Sequence, residues 1–123
     1  WEGRTILALS LHAPNDEARK RLMPVANRYA LKDVLEACDK YLNRVVHVHM
    51  KDIQEMAEDS VITLEGRGFD STAIGEGDLP LWEIVERLKK IQYEGTLSIE
   101  ISSPLRLAEK MADSIHNIKD WIQ

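Results

Sequence analysis

Three short apolar runs, separated by amphipathic helical stretches, constrain this chain more than anything else in it. They cover residues 5–11, 45–50 and 96–102. Each has strand length and is rich in aliphatic or β-branched side chains. Between them, Leu31, Val34, Leu35, Cys38 and Leu42 recur at helical spacing, and so do Leu81, Ile84, Val85, Leu88 and Ile91. A last helix is predicted to bury Leu107, Ala108, Met111, Ala112, Ile115, Ile118 and Ile122. Strands that alternate with helices and read as near-continuous apolar runs predict an α/β fold, with a parallel sheet of three main strands covered by helices.

The connecting segments refine this. Asn15 suits a helix N-cap, with Asp16 and Glu17 in the first turn and Arg19, Lys20 and Arg21 later, and Pro24 stops that helix. The basic cluster reads as a solvated helix end. Residues 52–59 suggest a short helical turn. Residues 60–64 look extended, which adds an optional fourth edge strand near Val61. Gly66, Gly68, Gly75 and Gly77 supply turns. Ser103-Pro104 suggests the start of the last helix. Three βα units are too few to close an eight-stranded barrel, so partial barrel units are expected, either open or covered by another chain.

The stretch Val45-Val46-His47-Val48-His49-Met50-Lys51-Asp52 reads as a buried strand with a charged exit. In parallel α/β folds, ligands bind at that C-terminal end. His47 and His49 share a strand face, about 7 Å apart by strand rise. One could hold a metal while the other orients it or touches a substrate. The alternative is a pair of hydrogen-bonded core histidines. Glu100, near the end of the third run, shares a face with Ser98 and Ser102. Burying its carboxylate requires a cation partner; exposure at the strand end is the alternative.

Length and charge exclude several functions. The 123 residues fit one domain spanning 1–123. A net charge of −5 argues against a nucleic-acid surface, which needs a basic stripe. No apolar run reaches membrane-spanning length and no signal peptide is visible, so no membrane partner is expected. The single Cys38 excludes an internal disulfide and fits a reducing, cytoplasmic setting, consistent with recombinant expression. Trp1 in place of an initiator Met suggests a processed, trimmed or partial chain.

From Val45 onward, three strings occur in order: His47-Val48-His49-Met50-Lys51-Asp52, Gly75-Glu76-Gly77-Asp78 and Tyr93-Glu94-Gly95-Thr96-Leu97-Ser98-Ile99-Glu100. As a set they resemble the C-terminal quarter of the xylose-isomerase-like sugar isomerase/epimerase barrels, from strand seven to strand eight. The resemblance implies a divalent metal (Mn, Mg, Co or Zn), with His49 and Glu100 as ligands and His47 and Lys51 beside the substrate. The family's two ligands from earlier strands have no counterpart here.

Residues 6–42 resemble another family. Leu9-Ser10-Leu11-His12-Ala13-Pro14-Asn15-Asp16-Glu17, Leu22-Met23-Pro24 and Leu35-Glu36-Ala37-Cys38 are similar to segments of the radical S-adenosylmethionine methyltransferases that modify adenine in RNA. The resemblance implies that Ser10, Leu11 and His12 are a vestige of a cofactor-binding segment. The cysteine triplet that would hold an iron–sulfur cluster is absent, and Cys38 does not replace it.

These two resemblances imply a chimera of barrel fragments joined near residues 43–45, engineered or selected for its fold. The expectation is self-association into a homo-oligomer, with no catalytic residue and no cofactor. Two alternatives remain: a metal-dependent sugar isomerase or epimerase with an incomplete metal site, and a weak small-molecule-binding remnant.

Overall fold

A computed structural model describes residues 15–56, 62–63 and 66–123. The run predicted at residues 5–11 and the centre of the optional edge strand, Val61, lie outside them. In chain order the elements are α1 (Asp16–Leu22), α2 (Leu31–Tyr41), β1 (His47–Met50), β2 (Asp52–Glu55), β3 (Ile62–Thr63), β4 (Gly66–Arg67), β5 (Phe69–Thr72), α3 (Leu81–Lys90), β6 (Thr96–Ile99) and α4 (Leu107–Ile122). Short 3-10 turns follow α1 and α2. No described helix is long and apolar enough to cross a membrane.

Two strands pair in parallel, β1 beside β6, with Val48 opposite Leu97 and Met50 opposite Ile99. Their apolar face packs against α3 and α4 through a core of Met50, Ile74, Leu81, Val85 and Ile118. Val48, Leu97, Ile99 and Trp121 extend that core. This is a partial α/β barrel unit: a small parallel sheet backed by helices, with no closed barrel among the described residues. The strand at 47–50 is thus buried on one face only. Val46, just ahead of it, is 81% exposed.

Residues 52–59 do not open on a helical turn. Instead β2 leaves the end of β1 and pairs antiparallel with β5, Asp52 opposite Thr72 and Glu55 opposite Phe69. The backbone of β3 pairs antiparallel with β4. The chain here is polar and short, so helical and strand periodicities are hard to tell apart, and cross-strand pairing decides the outcome. Ile53 and Phe69 form a second core with Ala18 of α1, and partly buried Leu79 packs against it.

Asn15 caps α1 as its residue type suggests, accepting from the Ala18 N–H at 2.9 Å. The basic cluster is not wholly solvated. Arg19 is buried and donates to Asp16 Oδ1 at 3.3 Å and to the Tyr29 carbonyl at 3.0 Å. Arg21 bonds to Glu55 at 2.9 Å, and its guanidinium lies 5.5 Å from the centre of the Phe69 ring, tying α1 to the β2–β5 ribbon.

The last helix also differs from its pattern. It starts at Leu107 rather than at Pro104, and Arg106 before it has a left-handed conformation (φ 52°). Ser114 and Ile118 are buried, whereas Leu107, Ile115 and Ile122 are exposed. Ser114 is inside because its hydroxyl accepts from the Ile74 N–H at 2.9 Å and donates to the Lys110 carbonyl at 2.6 Å. Satisfied in this way, a hydroxyl costs little to bury.

Candidate functional site

The polar face of the β1–β6 pair gathers the chemistry. Side chains alternate across a strand. Val48, Met50, Leu97 and Ile99 turn to the core, which leaves His47, His49, Ser98 and Glu100 on the opposite face. Neither histidine is a core residue, because both are exposed. Their rings stack, with centroids 4.7 Å apart and planes inclined by 28°. His47 Nε2 lies 2.7 Å from Ser98 Oγ on the neighbouring strand.

The backbone continues the pairing one residue further, with the Glu100 N–H donating to the Met50 carbonyl at 2.9 Å. That contact sets Glu100 beside Lys51. Lys51 Nζ donates to Glu100 Oε1 at 2.8 Å, and His49 Nδ1 stands 3.7 Å from Glu100 Oε2. The cation partner sought for Glu100 is therefore Lys51. Its hydrogen bond and charge hold the Glu100 carboxyl below the usual range, with a smaller contribution from His49. The cluster stays open to water: the His49 side chain is 65% exposed and that of Glu100 50%.

All four residues singled out at the strand ends, His47, His49, Lys51 and Glu100, thus fall in one cluster. Ser10, Leu11 and His12 lie outside the described residues. A divalent cation fits the cluster poorly. Glu100 already has an ammonium within bonding distance, and among the described residues no group of three or more His, Cys, Asp or Glu side chains could hold a metal ion.

Asp52 is the residue whose role the strand pattern hides. It is fully buried at the start of β2. One oxygen accepts from the N–H groups of Gly75 (2.8 Å) and Gly77 (3.1 Å), the other from those of Leu79 (3.2 Å) and Ile53 (3.0 Å). Burial pushes its carboxyl above the usual value, against the pull of these four bonds. The Gly75-Glu76-Gly77-Asp78 string is therefore a backbone cradle for an internal carboxylate. A Cβ on Gly77 would stand 2.3 Å from Asp52 Oδ1, which requires glycine there. Gly75 adopts φ +93°, and a Cβ there would meet the Trp121 ring at 2.8 Å. Asp78 completes the motif by accepting from the Glu55 N–H at 2.7 Å. The signal in the sequence was the paired glycines after a strand-end Asp.

A hollow of about 340 Å³ lies between the β2–β5 ribbon and α4, lined in part by Gln54, Asp70, Thr72, Arg106 and Lys110. Its cations are engaged: Arg106 with Glu109, and Lys110 with the Ser71 carbonyl at 2.8 Å.

Comparison with known proteins finds similarity of two kinds. Probable dual-specificity RNA methyltransferase RlmN of Lachnoclostridium phytofermentans is 68% identical over 38 residues, covering 31% of this chain. Dual-specificity RNA methyltransferase RlmN of Alcanivorax borkumensis is 51% identical over 43 residues, covering 35%. The corresponding protein of Clostridium beijerinckii is 42% identical over 60 residues, covering 44% of this chain and 17% of its own length. The chain spans only 11% of the length of the first two. No solved structure matches significantly. The family model for the xylose isomerase-like TIM barrel matches residues 13–121, running through the junction expected near 43–45 and not starting there. That match covers most of the sequence, and the chain belongs to the xylose isomerase-like TIM barrel family.

Proposed function

We propose that this chain is a recombined barrel fragment, engineered or selected for its fold, that self-associates and carries no isomerase chemistry of its own. The observation behind this is the Lys51–Glu100 pair at 2.8 Å. An ammonium on the carboxylate that would serve as a metal ligand opposes a second cation there. The remaining donor, His49, would leave a hard divalent ion mostly water-held and weakly bound. The short, high-identity match to RNA methyltransferases beside a family-wide barrel match supports recombination. Among the described residues β1 and β6 pair only with each other, so each has an outer edge that favours strand addition from a second copy. A net charge of −5 supports a role that does not involve nucleic acid.

The second reading is a metal-dependent sugar isomerase or epimerase. Family membership and the 3.7 Å approach of His49 to Glu100 favour it.

Titration with Mn²⁺ and a sugar isomerase assay separate the two, using the chain, Glu100→Gln and Lys51→Met. The proposal expects no turnover and no Glu100-dependent Mn²⁺ binding in the unmodified chain, with binding strengthened in Lys51→Met. Saturable Mn²⁺ binding and turnover, both lost in Glu100→Gln, would establish the enzyme instead. Solution mass tests self-association: a value well above the 14.1 kDa of one chain supports it, and a monomer overturns it.

A further inference from the structure

We infer that two copies of this chain dock through patches of opposite charge, the turn between α1 and α2 of one copy on the start of α3 of the other. This mode rests on the proposed self-association and gives it its surfaces. From Lys20 to Lys32 the chain carries four cations, Lys20, Arg21, Arg28 and Lys32, and no Asp or Glu. From Glu76 to Glu86 it carries four anions, Glu76, Asp78, Glu83 and Glu86, and no Lys or Arg.

Each patch also holds a large side chain in water. Tyr29 is 57% exposed and Val25 56%, on either side of Arg28 at the 3-10 turn after α1. Trp82 is 56% exposed in the first turn of α3, next to Glu83. Tyr, Trp and Arg are the residues that most often anchor an interface, and a guanidinium stacks well on an indole face. Part of each charge set is engaged within the chain: Arg21 with Glu55 at 2.9 Å and Glu86 with Lys89 at 3.0 Å. Lys20, Arg28 and Glu83 form no ion pair among the described residues, so their charges are open to a partner. Like patches repel face to face, which leaves the unlike pairing as the one that electrostatics favours. Arg28 would meet the Trp82 ring and Glu83, and Tyr29 would lose its contact with water there.

Sedimentation of the full chain tests this. Assembly should weaken about tenfold or more between about 0.05 M and about 0.5 M salt, because exposed charge pairs are screened. That measurement needs no variant. The triple variants Lys20→Glu/Arg28→Glu/Lys32→Glu and Glu76→Lys/Glu83→Lys/Glu86→Lys reverse one patch each, and circular dichroism checks that they fold. Each alone should sediment as the 14.1 kDa monomer. Mixed in equal amounts they should associate again, since each then supplies the patch that the other lacks. Trp82→Ala should weaken assembly of the unmodified chain about tenfold or more. Assembly that survives high salt and both reversals would overturn this pairing and leave self-association to another surface, such as the strand edges. Monomeric variants that stay monomeric when mixed would overturn it too. A monomer at low salt would overturn both this pairing and the self-association beneath it.

Discussion

Two carboxylates sit at the ends of neighbouring parallel strands and meet opposite fates. Asp52, two residues past β1, is sealed inside and held by backbone N–H groups of its own strand and the 75–79 loop. Glu100, one residue past β6, is half in water and held by the Lys51 side chain. Burial raises the first carboxyl, and the ammonium lowers the second. Neighbouring strand ends thus divide the labour: the buried group builds the strand-end architecture, and the exposed one pairs with a side chain in reach of water. A carboxylate at a barrel strand end is a site by position only; its partners decide whether it is a scaffold.

The sharpest way to break this contrast is Asp52→Ala. It leaves the N–H groups of Gly75, Gly77 and Leu79 facing a void, and each unsatisfied buried donor costs about 1–3 kcal/mol. Water entry and relief of a desolvated charge offset part of that. The expected net loss is about 3 kcal/mol in urea unfolding at pH 7. A loss under about 1 kcal/mol would mean that the cradle does not depend on its carboxylate.

Gly77→Ala attacks the same cradle from the other side. Its Cβ would meet Asp52 Oδ1 at 2.3 Å and the backbone oxygen of Ile53 at 2.5 Å, and the backbone atom cannot swing away. A loss of about 2 kcal/mol is expected, comparable to other overpacked sites. The double variant with Asp52→Ala should lose less than the sum, because one clash disappears with the carboxylate. Strict additivity in a double-mutant cycle would show that the two residues act separately.

Much of the exposed cluster was legible in the sequence because it is written in side chains. Alternation across residues 45–50 set His47 and His49 on one face, and the apolar company of Glu100 called for a cation, which Lys51 supplies. The helical stripe Leu81, Val85 and Leu88 also reads directly onto the core. The Asp52 cradle was not legible in the same way, since its donors are amides that any residue but proline carries. Only the glycines hinted at close approach. β2 was hidden because Asp-Ile-Gln-Glu has neither a clear strand nor a clear helical period. On α4 the apolar stripe pointed to Ile115 and Ile122, but the hydrogen bonds from the Ile74 N–H to Ser114 Oγ and from Asn117 Nδ2 to the Ile74 carbonyl turned the helix toward the loop.

The smallest effects, and the finest test of the contrast, come from pH. Asp52 has its carboxyl raised in the folded state, so folding favours its protonated form. The stability linked to it is complete below the ordinary carboxylate pKa and is lost as pH rises through the raised value. Glu100 runs the other way. Its carboxyl is lowered, so its contribution is present above the ordinary value and disappears as pH falls through the depressed one. Acidification from neutral pH should therefore stabilise the unmodified chain relative to Asp52→Asn, and further acidification should erase its advantage over Glu100→Gln. At pH 7 that second advantage should be under about 1 kcal/mol, because the pair is half exposed and screened by water. Urea midpoints measured across the acidic range for all three proteins provide the check. If the two variants drift in the same direction relative to the parent chain, the carboxylates do not occupy opposed environments, and the division between scaffold and exposed cluster fails.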